Sequence, residues 1–302
     1  MFKIQKKRKP FTQDTLFDGV NIVLMCVLFI VYAWPLWFVL IASVSDPNAI
    51  WNGEVLMFPK GFSLEGYLEI LHYDDIWTGY RNTIFYTVVG TVINLFLTVM
   101  AAYPLSRTDF VMNKFFTKIF MVTMYFSGGM IPLYLVVDNL ELVDTVWSQM
   151  LPTAISFYNV LIARTYFQNS IPVSLQEAAE LDGANTWVYL WRIVLPLSKP
   201  VLAVLALYYG MAHWNDFYQA LLYLYDEGLY PLQMVLRSIL MNNTFSADML
   251  GTMEPEAIER MMRLADVMKY GMIVVATVPA LCIYPFVQKH FVKGVMIGAV
   301  KG

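Results

Sequence analysis

Five stretches of this chain, 20–42, 82–106, 119–137, 145–163 and 270–288, contain no Asp, Glu, Lys or Arg. Each is long enough, or nearly so, to cross about 30 Å of hydrocarbon as a tilted helix. A sixth run, 200–225, carries a single acid, Asp216. The runs are apolar all round instead of alternating with period two, which favours helices over a β-barrel. Prolines at 35, 104, 132, 152, 279 and 285 fall within them; in a membrane helix they predict kinks, because neighbouring groups can satisfy the freed carbonyls. With 58% hydrophobic and 14% charged residues, the composition departs from the roughly 45–50% and 25% of soluble domains. The expected fold class is an all-α membrane protein of six transmembrane helices. One domain, 20–290, lies between a basic segment, 1–19, and a tail, 291–302.

Orientation follows from the basic residues. If the N-terminus is cytoplasmic, fourteen of the twenty Lys and Arg fall on the inside, and most of the others lie in or beside one long outside loop. The excess of positive charge inside predicts that both termini are cytoplasmic. The cluster Lys6 to Lys9 before an apolar run also looks like the start of a signal peptide, but the run is about twice a normal apolar core of that kind. Topology and anionic lipid account for those bases without nucleic acid. Cys26 and Cys282 both lie in expected spans and read as buried apolar residues, not as a disulfide or metal pair. No metal site is expected.

One polar stretch interrupts this pattern on the expected cytoplasmic side. Residues 176–200 read QEAAELDGANTWVYLWRIVLPLSKP. Pro172 suits the first turn of a helix, and Ser174, Glu177 and Glu180 complement its dipole. Gly183 supplies the backbone freedom to end it. Asn185 is placed to cap a second helix, on which Trp187, Leu190, Trp191 and Val194 recur with helical spacing as an apolar face that Pro196 ends. Ala178, Ala179 and Ala184 leave room for another backbone, and Glu177, Glu180 and Asp182 have no basic residue within four positions. A small acidic knob of this kind suits a partner's basic cleft; an amphipathic helix lying in the lipid interface fits equally well.

The segment resembles the EAA loop of the permease subunits of bacterial ABC importers, with Glu177, Ala178, Ala179, Asp182, Gly183, Ala184, Ile193 and Pro196 filling the pattern without a gap. The similarity continues through GGMIPLYLVV (128–137), IARTYFQNSIP (162–172), HWNDF (213–217) and the C-terminal FVKGVMIGAVKG. It covers nearly the whole chain and is closest to the carbohydrate importers that include the smaller membrane subunit of the maltose importer, in the subgroup for complex oligosaccharides and uronate-containing glycans. The resemblance implies a type I importer permease fold in a bacterial cytoplasmic membrane. It also implies partners: a second homologous permease in a heterodimer, a dimeric cytoplasmic ATPase that seats loop 172–200, an extracytoplasmic sugar-binding protein, and a sugar substrate. ATP and Mg would be bound by the ATPase. Consistent with this, the chain contains no GxxxxGK(S/T) phosphate loop and no HExxH or GxSxG motif, so no cofactor or catalysis is expected of it.

Two further sets of residues are candidates. His213, Trp214, Asn215 and Asp216 would lie near mid-depth, where polar groups usually face a cavity or a partner. Contact with sugar and hydrogen bonding between helices or at a gate are both open, while Asn94 and Asn159 read as interhelical contacts. In the C-terminal tail, Lys293, Gly294, Gly298, Lys301 and Gly302 match the part that in the maltose family reaches between the two ATPases. A secondary transporter should show inverted repeats and charge pairs in the membrane, and a membrane scaffold leaves the mid-depth cluster unexplained.

Overall fold

A computed structural model describes residues 13–242, 263, 266–282 and 285 of the chain; among these the regular structure is helical, with a single antiparallel bridge between Ser45 and Phe62. The C-terminal residues 293–302 singled out above lie outside the described residues. The chain divides into two units, Met1–Ile70 with Ala247–Val274, and Leu71–Ser246 with Val275–Gly302.

In the first unit, helix α1 (Gln13–Ser43) is long and apolar enough to cross a membrane, with Pro35 inside it. From Leu16 to Leu40 most of its side chains are exposed on the chain's own surface, as expected where lipid or another subunit replaces water as the apolar neighbour. The loop that follows is tied back to it: Trp37 Nε1 donates to the Met57 carbonyl at 2.9 Å, and Tyr67 OH donates to Ser43 Oγ at 2.8 Å. Asp46 Oδ1 accepts from the amide of Asn48 at 2.8 Å, capping a short helix, Pro47–Trp51.

The second unit is arranged around one long helix, α2 (Asp74–Ser106), also able to span a bilayer. It is followed by α3 (Asn113–Tyr125), α4 (Met130–Asn139), α5 (Phe157–Ser170), α6 (Val173–Leu181), α7 (Thr186–Leu197), α8 (Lys199–Trp214) and α9 (Leu232–Asn242). Helices α5, α8 and α9 pack on α2. The core shared by α2, α5 and α8 contains Val99, Ala102 and Tyr103 of α2, Val160, Ala163 and Phe167 of α5, and Leu205 of α8. Ala102 and Ala163 are fully buried; small side chains at these crossings allow the close backbone approach on which helix packing in lipid depends.

Among the described residues, helices overlap the expected runs but differ from them in outline. Two single helices among the described residues have spanning length, or up to four spans if each of two bent pairs crosses as one. The run 119–137 is broken at 126–129, where α3 and α4 meet at 115°, and α7 meets α8 at 80°. Gly129, at φ 87°, caps α4 in a backbone region that L side chains rarely adopt. The run 145–163 begins helical structure of α type only at Phe157, because 146–156 form a short 3-10 turn and bends around Pro152. The run 200–225 stops at Trp214 and restarts as a short helix, Tyr218–Tyr223. Cys26 and Cys282 are free thiols on the exposed surface of the chain, not buried, because the outside of a membrane helix is itself apolar surface.

Candidate functional site

The polar stretch forms two helices joined by a tight corner. Helix α6 starts immediately after Pro172 and ends at Asp182 in a double hydrogen-bonded cap, Gly183 N to the Glu180 carbonyl at 3.1 Å and Ala184 N to the Ala179 carbonyl at 2.9 Å. That cap requires a residue in the left-handed region at Gly183, whose φ is 78°. No atom lies within 4 Å of a Cβ built there, so the corner is open to anything that approaches. Asn185 then caps α7 as expected, its side chain accepting from Val188 N at 2.8 Å.

The two faces of α6 have different roles. Ala179 is buried in the common core with Tyr103, Tyr189 and Leu190, and Ala184 packs against it. Ser174, Glu177, Ala178 and Leu181 recur with helical spacing on the exposed side, and Leu181 is 90% exposed. Of the small residues expected to face a partner, only Ala178 is exposed; Ala179 instead anchors the helix. Leu181 was not singled out from sequence, although its place in the 174, 177, 178 series was available. On α7, Leu190 and Val194 are buried while Trp187 and Trp191 are exposed; a π-helical turn at Leu190–Val194 distributes the expected single apolar face over two sides. Ile193 packs toward the core, and Pro196 sits in the exposed last turn before the bend. Neither joins the knob.

Glu180 is not an uncompensated acid. Arg107, at the end of α2, reaches its Oε1 at 3.4 Å, and Gln176 Nε2 donates to the same oxygen at 2.9 Å. Arg107 is itself held by Asp109 through two bonds, at 2.8 and 2.6 Å, and by Tyr103 OH at 3.1 Å. The Arg107 side-chain hydrogen bonds hold the Asp109 carboxyl below the usual carboxylate range, and Asp109 in turn raises the guanidinium.

A second feature is a cavity of about 610 Å³ lined by groups from α4, α5, α8 and the short helix after it, among them Asn159, Tyr208, Tyr209, His213, Asp216 and Gln219. The four residues of the mid-depth cluster separate here. His213 and Asp216 line the cavity, whereas Trp214 is buried and donates to the Ala276 carbonyl at 3.0 Å. Asn215 Nδ2 is used on its own helix, donating to the Met211 carbonyl at 2.9 Å. Asp216 Oδ1 caps the short helix, accepting from the amides of Tyr218 and Gln219 at 3.0 and 3.2 Å. His213 lies 2.7 Å from Asn94 of α2. Asn94 donates to the carbonyls of Thr153 and Ala154 at 3.0 and 2.8 Å, pairing backbone that has left helical form inside the packing. Tyr209 OH bonds Thr98 Oγ1 at 2.8 Å and accepts from Ser156 N. Asn159, expected as an interhelical contact, lines the cavity. Among the described residues no group of His, Cys, Asp and Glu is placed to hold a metal.

No protein-family model matches the sequence. The chain is similar to the protein LplC of Bacillus subtilis (strain 168), 39% identical over 286 residues that make up 95% of each chain. It is 38% identical over 295 residues to YtcP of the same organism, a polygalacturonan/rhamnogalacturonan transport system permease protein, covering 96% of this chain and 100% of that one. An arabinooligosaccharides transport system permease protein, AraQ of Halalkalibacterium halodurans, is 26% identical, covering 99% of this chain and 100% of that one. The crystal structure of a bacterial ABC transporter that imports the acidic polysaccharide alginate contains a chain that superposes with a TM-score of 0.85 at 33% identity, covering 94% of this chain and 100% of that one.

Proposed function

This chain belongs to the sugar-transport permeases of bacterial ABC importers, and on that premise we propose that it forms half of the translocation path of an ATP-driven oligosaccharide importer, moved by a cytoplasmic ATPase through α6. As a permease of this family it sits in the cell membrane as a multi-pass subunit and works with an ATPase and a binding protein. The second permease is a different but homologous chain, and both termini of this one are cytoplasmic. The observation that carries the reading is α6: anchored on one side by Ala179, and presenting Ser174, Glu177, Ala178 and Leu181 on the other, beside an unobstructed glycine corner.

The mechanism is mechanical. A groove in the ATPase grips the exposed face of α6, with Glu177 and Asp182 offered to basic groups and Leu181 to an apolar hollow. When ATP closes the ATPase pair, the groove moves as a rigid body and tilts the attached helices. Ile193 and Pro196 act at the bend between α7 and α8, Ile193 by packing and Pro196 by shaping the last turn. Trp187 and Trp191 suit the membrane interface, where an indole can keep its body in lipid and its N–H in a polar layer. The tail residues Lys293, Gly294, Gly298, Lys301 and Gly302 form a second contact with the ATPase.

The cavity around His213, Asp216, Asn159 and Gln219 is this chain's contribution to the sugar path. Tyr208, Tyr209 and Tyr218 supply aromatic surface there, and the amide and hydroxyl groups supply hydrogen bonds, the combination by which protein pockets orient polar ligands. Purification of the chain from its native membrane tests the reading. An ATPase and a second permease should accompany it, and glycan-loaded binding protein should stimulate ATP hydrolysis; transport by the isolated chain without an ATPase would refute it.

A further inference from the structure

We infer that Arg107 is a positioning residue for energy coupling, a strut that carries the motion of α6 to α2 across a noncovalent joint; this rests on the importer reading above. Helix α6 is connected through the backbone to α5 on one side and α7 on the other, but not to α2. Arg107 closes that gap. It is the residue that caps α2, its amide bonded to the Pro104 carbonyl at 3.2 Å, and its side chain is only 14% exposed.

Each nitrogen of its guanidinium has a defined direction. Nε and Nη2 hold the two oxygens of Asp109, Nη1 donates to Tyr103 OH, and Nη2 also reaches Glu180 Oε1. The guanidinium also lies 5.9 Å from the centre of the Tyr103 ring. Asp109 and Tyr103 therefore fix the fork before Glu180 arrives, so little side-chain freedom is lost when the joint forms. On the other side, Gln176 steadies the same Glu180 oxygen. The bond from Arg107 to Glu180 is the longest of the set and its acid is half exposed, so its importance is directional more than energetic.

The route beyond Arg107 is continuous. Along α2, Thr98 bonds Tyr209 and Asn94 bonds His213, and both Tyr209 and His213 line the cavity. A shift of α6 that pulls on Glu180 thus reaches the cavity wall through one continuous helix. Asp109→Asn and Tyr103→Phe would loosen the strut without removing it.

The test uses the assembled complex in proteoliposomes, with Cys26→Ser and Cys282→Ser as background and Leu133→Cys, on the cavity wall, as reporter. Labelling by a membrane-impermeant maleimide is measured with and without Mg-ATP and vanadate. The background chain should change its labelling rate by about fivefold or more on trapping. Arg107→Gln and Glu180→Gln should each abolish most of that change while membrane level and ATPase binding stay normal. The double variant should be no worse than either single one, as expected of two ends of one joint, and Arg107→Lys should restore part of the response. Full responses in both single variants, or additive losses in the double, would overturn the strut. A background chain that binds ATPase yet shows no nucleotide response would overturn the importer reading itself, and the strut with it.

Discussion

His213 Nε2 lies 2.7 Å from Asn94 Oδ1, and the Asn94 amide nitrogen already donates to two carbonyls. The Asn94 oxygen must therefore accept, and His213 must donate through Nε2–H. Replacing Asn94 by Leu strands this donor and both carbonyls in an apolar interior. The expected loss is about 1–3 kcal/mol, read as a lower thermal unfolding midpoint of the purified protein; an unchanged midpoint would show that the bonds are idle.

Gly90 lets the imidazole lie against the α2 backbone. A Cβ at that position would stand 2.5 Å from His213 Nε2, so Gly90→Ala must displace the ring and weaken its bond to Asn94. Because the two changes act on one contact, Gly90→Ala combined with Asn94→Leu should destabilise less than the sum of the single variants. Strict additivity in unfolding midpoints would separate the two sites.

Hydrophobic runs located the helices of this chain but not their interruptions. The stop at Trp214 depends on Asp216 capping the next helix, which a hydropathy pattern cannot register. The break before Phe157 is stabilised by Asn94, about sixty positions earlier in the chain, and no local pattern joins such residues. Gly183 was legible because a left-handed corner is a local requirement with a local signature. The pairing of Glu180 is hidden for the opposite reason: its cation is 73 positions away, and no pattern within neighbouring turns contains it. Leu181 was overlooked because an exposed leucine is ordinary in composition and becomes notable only when the surface around it is known.

Gly183→Asp combines two effects. A side chain in the left-handed region costs about 1 kcal/mol or more, somewhat less for Asp than for most residues, and it projects a charged group into the open corner. The variant should reach the membrane at normal level, fail to retain the ATPase and fail to support uptake. Normal uptake at normal expression would argue against docking at this corner.

Leu181→Asp tests the apolar part of the same surface. Full burial of a leucine against a partner contributes roughly 1.5–3 kcal/mol, so ATPase affinity should fall by about tenfold or more. The chain's own stability should hardly change, since Leu181 is 90% exposed. A loss of stability equal to the loss of affinity would assign Leu181 to the fold instead.

The Arg107–Asp109 pair predicts a simple acid response. The folded-state carboxyl of Asp109 is depressed by Arg107, so the pair's stabilisation is complete above the unfolded carboxylate value near 4 and is lost as pH falls through the lower folded value. The difference in unfolding midpoint between the native chain and Asp109→Asn should stay level from about pH 8 to pH 5 and shrink below about pH 4. A difference that grows on acidification has the wrong sign for this pair.

The corner at 126–129 has a consequence for the cost of movement. Helix α3 completes its last bond at Phe126, whose amide reaches the Val122 carbonyl, and α4 begins its own ladder with Leu133 bonded to the Gly129 carbonyl. Two rods joined in this way can change angle without unwinding either one. The work of reshaping the path then falls on side-chain contacts alone, and those can be remade against a neighbouring subunit as quickly as they are given up.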